Sequence, residues 1–142
     1  MDGCRAMDDL LVPISAGELM DKITILEIKS ERIKNPEQRR NVMRELVALR
    51  LATERLDLSP LGGPVASLKN INGELWDVED DIRECEARTD FGPRFVALAR
   101  AVYRLNDERA RLKRTINEIS GSRYIEEKSY RGQGAGDRGS AA

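Results

Sequence analysis

The sequence predicts an all-α protein: an antiparallel four-helix bundle of up-down-up-down order, followed by a disordered Gly-rich C-terminal tail. Three observations predict it. Apolar residues recur at three- and four-residue steps over four long stretches, the spacing of one helix face. Each stretch is bounded by residues that start or stop helices. Charged residues make up 35% of the 142 and aromatic residues 4%, a balance that suits long solvated helices better than a sheet. The length fits one domain, which we place at residues 14–130, between a flexible leader (1–13) and the tail (131–142).

Pro13 blocks an earlier helix, and the first helix opens at Ser15. Ser15 reads as the N-cap, Glu18 completes a capping box, and Ile14 and Leu19 form a hydrophobic staple. The helix runs to about Lys34. Leu19, Ile23, Leu26, Ser30 and Ile33 share one face, and Ile25 and Ile28 lie on nearly the opposite one. A helix with two apolar faces is either sandwiched in the fold or touches a second protein or a second copy, here through Ile25 and Ile28.

Asn35 caps the second helix, Pro36 fits its first turn, and Gln38 makes a second capping box. It runs to about Asp57, with Val42, Leu46, Leu49, Thr53 and Leu56 inward. Ser59–Pro64 (SPLGGP) is a loop within the domain. The third helix spans about Pro64 to Arg88, where Leu68, Ile71, Leu75, Val78, Ile82 and Cys85 keep a heptad pattern. After a turn at Asp90–Pro93 the fourth helix runs to about Ile119, with Phe95, Leu98, Val102, Leu105, Leu112 and Ile116 inward and Gly121 as C-cap. Short connections make successive helices antiparallel neighbours. The final residues, RGQGAGDRGSAA, are too poor in apolar side chains to fold.

Several function classes are excluded. The chain has no histidine, so there is no imidazole base, no histidine zinc site and no nucleophile–histidine pair. The formal net charge is −1, which gives no global attraction to nucleic acid or to anionic membrane. No apolar run is long enough to span a bilayer, and MDGCRAMDDLL lacks the features of a signal peptide. Cys4 falls in the leader and Cys85 on an apolar stripe, so a disulfide between them is not expected. These features predict a cytoplasmic protein. SPLGGP lacks the lysine and the preceding strand of a P-loop, and no cofactor is evident.

The fourth helix carries the main anomaly. Its inward stripe opens apolar and then continues as Asn106, Arg109, Lys113 and Asn117. Buried charge needs a partner, so something negative faces this stripe. Counting residues from each turn places Asn72 opposite Arg109, with Met20 and Asp21 level with them. One end of the bundle therefore collects Asp21, Lys22, Asn72, Asn106, Arg109 and Lys113. The segment EEKSY leaves the same end and folds back with Glu126, Glu127 and Lys128. Two readings stand. One is a site for an anionic or phosphorylated small molecule, with carboxylates such as Asp21, Glu126 and Glu127 holding Mg²⁺. The other is an ion-pair layer that fixes helix register. Whether the chain is an enzyme stays open.

The third helix also bears an acidic stripe, Glu74, Asp77, Asp81 and Glu84, away from its heptad face, which reads as solvated surface. Glu74-x-x-Asp77 superficially matches helical nucleotide pyrophosphohydrolases, but the second helix lacks the companion Glu-x-x-Glu. Trp76 reads as packing at a helix–helix edge or as an exposed contact residue, and Cys85 as core.

Several strings carry a resemblance. Ile14–Ile33 (ISAGELMDKITILEIKSERI), Gly73–Glu86 (GELWDVEDDIRECE), Ala97–Asn117 and Glu126–Tyr130 together resemble a family of small, uncharacterised, all-helical bacterial proteins. The match covers about Ile14 to Tyr130. The resemblance implies an association with bacterial surface-polysaccharide genes and supplies no catalytic residues. The two-faced first helix, the regular heptads of the third and the lack of a catalytic constellation point to an accessory or interaction module.

Overall fold

A computed structural model of the chain describes residues 8–131. Among them are four α-helices and no strand: α1 (Ala16–Arg32), α2 (Pro36–Ala52), α3 (Gly62–Ala87) and α4 (Pro93–Ser120). Residues 8–13 precede α1 without regular structure. Most of the proposed disordered tail, residues 132–142, and Cys4 lie outside the described residues.

The predicted punctuation sets the helix ends. Ser15 Oγ accepts from the Glu18 N–H at 3.1 Å, and Asn35 Oδ1 accepts from Glu37 and Gln38 at 3.0 Å each. Gly121 closes α4 in the left-handed region (φ 67°), where a residue without Cβ fits best. α2 is shorter than its spacing suggests. It ends at Ala52, and two short 3₁₀ turns, Thr53–Arg55 and Ser59–Leu61, make the connection. Leu61 is buried there, which spends part of the apolar pattern on the connection rather than on the helix.

The bundle is organised around α1, which packs against all three other helices. α3 and α4 form an antiparallel hairpin, and α2 lies on α1 alone, without touching α3 or α4. This answers why α1 has two apolar faces: it is sandwiched. Leu19, Ile23 and Leu26 join Leu46, Leu61, Leu68, Leu112 and Ile116 in one core. Ile28 is only 4% exposed within the single chain, and half-buried Ile25 lines a groove beside Asn72, Leu75 and Trp76. The expected partner surface through Ile25 and Ile28 is therefore corrected at Ile28, which the chain itself buries, while Ile25 stays half-exposed in that groove.

Burial is uneven along the hairpin. The buried residues of α4 (Leu112, Lys113, Ile116, Asn117) all lie in its last third. Those of α3 lie towards its start (Leu68, Asn72, Leu75), apart from Cys85. Arg32, the last residue of α1, reaches Asp77 and stacks over Trp76 at 5.8 Å. Past that level, α3 and α4 pack on each other with no third helix beside them. Trp76 is thus an α1–α3 edge residue, and Cys85 is core.

Candidate functional site

The site grows from the contact between the start of α1 and the end of α4. A helix start leaves four N–H groups without intrahelical partners. Here three of them are satisfied by side chains. Ala16 donates to Ser122 Oγ (3.0 Å), Gly17 to Asn117 Oδ1 (2.7 Å) and Glu18 to Ser15 Oγ, and Leu19 then makes the first helical bond, to the Ser15 carbonyl (3.0 Å). The turn after α4 aims Ser122 at α1, with Ser122 N–H donating to the Asn117 carbonyl at 2.9 Å. Gly17 is required for this approach. A Cβ there would sit 2.4 Å from the Lys113 carbonyl oxygen.

One turn further along α1, Asp21 is 1% exposed and fully engaged. Arg109 donates to it through Nε (2.8 Å) and Nη2 (2.5 Å), a two-point carboxylate grip. Asn72 Nδ2 donates to Asp21 Oδ1 and to Thr24 Oγ1, both at 3.0 Å, and the Thr24 hydroxyl donates in turn to the Asp21 backbone carbonyl (2.9 Å). Lys113, also buried, lies 3.9 Å from Asp21, 2.7 Å from Glu18 and 3.0 Å from Glu126. Glu18 therefore gives its carboxylate to Lys113 and does not act as the far half of a capping box.

Electrostatics follow from these contacts. Burial alone would raise the Asp21 carboxyl. Hydrogen bonds from Arg109 and Asn72 and the charges of Arg109 and Lys113 outweigh it and hold the group below its ordinary 3.8. Burial likewise pushes Lys113 down, but its bonds to Glu18 and Glu126 and the Asp21 charge raise it overall. The hydrogen bond from Lys113 holds Glu126 below its ordinary 4.5. A carboxyl that is more acidic when folded adds stability that is complete above its unfolded value and lost as pH falls through its folded one. Thermal midpoints measured from about pH 6 down to about pH 3 are thus expected to fall. A flat profile would mean that the Asp21 and Glu126 contacts add no stability.

The chain after Gly121 crosses this cluster as an exposed strap. Glu126 docks on Lys113, while the Glu126 carbonyl and the Glu127 carboxylate accept from Arg114 at 3.4 and 3.3 Å. Beneath it lies a polar cleft of about 190 Å³, lined by Glu18, Asn106, Arg109, Ala110, Lys113, Glu126 and Lys128.

Of the residues expected here, the structure brings together Asp21, Asn72, Asn106, Arg109, Lys113, Glu126 and Lys128. Two fall outside. Lys22 is exposed, because one step past Asp21 turns it about 100° around the helix. Glu127 faces Arg114 on the outer side. Sequence reading missed Gly17, Glu18, Thr24 and Ser122. The Gly at the second position of α1 was the one available signal, since a helix start offers it no local advantage over Ala. The three acids named for Mg²⁺ do not converge: Asp21 serves Arg109, Glu126 serves Lys113 and Glu127 serves Arg114. Among the described residues, no three His, Cys, Asp or Glu side chains are placed to hold a metal. The acidic stripe of α3 is surface, with Asp77, Asp81 and Glu84 paired to Arg32, Arg94 and Arg88.

A second feature lies on α2. Its outer side carries Met43 (36% exposed), Val47 (54%) and Leu51 (61%), four residues apart and so on one face. Lys34, Arg39, Arg40 and Arg44 flank Met43 and Val47 in an open groove. Among the described residues, Arg39, Arg40 and Arg44 enter no ion pair.

Fold and site together define a small helical module, built around one central helix and locked by a buried ion-pair layer under a C-terminal strap. The chain belongs to a family of unknown function (DUF6165), whose model matches residues 10–138. No curated protein and no solved structure gives a significant match. Among the described residues, no helix is long and apolar enough to cross a membrane.

Proposed function

We propose that this chain is an interaction module, an accessory protein of the bacterial cytoplasm that docks an acidic, apolar-faced segment of a partner on α2. The carrying observation is the outer face of α2. Of the other helices only α1 packs on this one, so its exposed stripe of Met43, Val47 and Leu51 is unpartnered, and among the described residues Arg39, Arg40 and Arg44 have no carboxylate partner. Apolar contact with complementary charge at the margin suits a helix or extended segment bearing Asp or Glu. The leader of the chain has this chemistry, with Asp8 and Asp9 before exposed Leu10, Leu11 and Val12, so a second copy is one candidate occupant. The sequence resemblance supports seeking other partners in surface-polysaccharide metabolism.

The test is a pull-down with wild-type protein and with Val47→Asp/Leu51→Asp. Both positions are exposed, so the double variant is expected to unfold within about 0.5 kcal/mol of wild type. Wild type should retain a partner that the variant loses, and added salt should weaken the retention. Light scattering separates self-association from a foreign partner. Identical retention and identical mass for both proteins would overturn the proposal.

The alternative, a Mg²⁺-dependent binder or hydrolase of a phosphorylated ligand such as a nucleotide or nucleotide-sugar, has less support. Its carboxylates are each neutralised by a cation: Asp21 by Arg109, Glu126 by Lys113 and Glu127 by Arg114.

A further inference from the structure

We propose that the cleft between α1 and α4 is a binding site for a phosphate group, and that the Glu126 side chain occupies the place of that group while it is seated on Lys113.

Charge balance motivates the proposal. Three cations, Arg109, Lys113 and Lys128, meet three carboxylates, Asp21, Glu18 and Glu126, in and just beneath the cleft. Two of those carboxylates are fixed on α1. The third comes from the strap. With Glu126 in place the cleft is neutral. With the Glu126 side chain rotated out and the strap backbone in place, so that Lys128 stays, it holds one uncompensated positive charge. Lys113, only 8% exposed, keeps Glu18 but cannot reach far into water for a second partner. An incoming anion restores the balance.

The Glu126 side chain is free to rotate out while the strap stays. The residue is exposed, and exposed ion pairs hold weakly against water. The strap backbone keeps its own tie, from Arg114 to the Glu126 carbonyl, and Tyr124 (46% exposed), Ile125 (48%) and Tyr130 (52%) are partly covered. Glu126 can therefore be displaced without disturbing the Asp21–Arg109 pair beneath.

The donors favour phosphate over a planar carboxylate. Arg109 spends Nε and Nη2 on Asp21, leaving Nη1 with a single 3.5 Å contact to Asn106 Oδ1. Lys113 Nζ loses one of its two close carboxylates when Glu126 departs and keeps Glu18 at 2.7 Å, which leaves it a donor to spare. Lys128 lines the same cleft and, among the described residues, enters no ion pair. Donors that approach from helix and strap suit the several oxygens of a tetrahedral group.

The test is calorimetric titration of full-length protein with inorganic phosphate, comparing wild type with Glu126→Ala. A Glu126 carboxylate seated on Lys113 about nine-tenths of the time weakens apparent affinity about tenfold, so Glu126→Ala should bind phosphate about tenfold more tightly than wild type. Glu126 is exposed, and circular dichroism serves to check that the variant folds. Equal or weaker binding by Glu126→Ala, or no binding by either protein, overturns the proposal, as does a preference for acetate over phosphate. A merely structural role for Glu126 predicts no gain in affinity.

Discussion

Arg109→Ala is expected to lower the free energy of unfolding by about 3–5 kcal/mol, read by urea denaturation at neutral pH, because it strands a buried charge. Asp21 is 1% exposed and depends on Arg109 for two of its hydrogen bonds. Without the guanidinium it keeps Asn72 and a Lys113 ammonium 3.9 Å away. The reverse change, Asp21→Ala, should cost less. Arg109 is partly exposed and can turn to water, and Lys113 retains Glu18 and Glu126. Acid should narrow the gap between wild type and Arg109→Ala. In Arg109→Ala, burial without the pair raises the Asp21 carboxyl above its ordinary value, so the deficit shrinks as pH falls and the group takes up a proton. Asp21→Leu/Arg109→Met removes both charges at once and is expected to recover most of the loss. A single variant as stable as wild type would show that the layer contributes nothing to the fold.

The second large effect is expected at Gly17→Ala, with a loss of about 3 kcal/mol, the upper end for overpacking. The added Cβ would lie 2.4 Å from the Lys113 carbonyl oxygen and 2.8 Å from Asn117 Oδ1. The backbone of α4 cannot yield as a side-chain tip would. The helices must part, and the Asn117 cap on the Gly17 N–H goes with them. Gly73→Ala is the internal comparison. A Cβ at Gly73 meets only the end of Arg32, at 3.7 Å. There the substitution is expected to stabilise by about 0.5–1 kcal/mol, because alanine loses less backbone freedom in a helix interior. The same change at two helical glycines thus has opposite signs, and thermal midpoints of the two variants check it.

What the sequence reveals and hides follows from how local each cause is. Ser15, Asn35, Pro36 and Gly121 act on residues within a few positions of themselves, and each closes or opens a helix where its chemistry implies. Asn72 and Arg109 are legible as neighbours because α3 and α4 form a true hairpin and counting from its turn sets the register, and counting back through α2 puts Asp21 at their level. What counting does not give is the separation of α2 from α3. The connection from Thr53 to Leu61 lets them part, so α1 comes to lie centrally. That explains Ile28, which reads as an exposed second stripe and is buried. Glu18 shows a different limit. Its spacing from Ser15 fits a capping box, yet Lys113, remote in sequence, is the stronger partner. Lys22 adjoins Asp21 in number but points elsewhere.

The unequal company kept by the α3–α4 hairpin divides the molecule into regions of different cooperativity. Near Asn72 and Lys113 a backbone amide can exchange with solvent only when the ion-pair layer and the core around α1 come apart together. Towards Cys85 and Phe95 the same hairpin has one packed seam to open, and fewer apolar contacts hold each turn. Fluctuations at that far end therefore leave the Asp21 cluster undisturbed. The molecule combines a rigid root with a compliant tip along one pair of helices, and a partner that grips the tip would feel a different stiffness from one that grips α2.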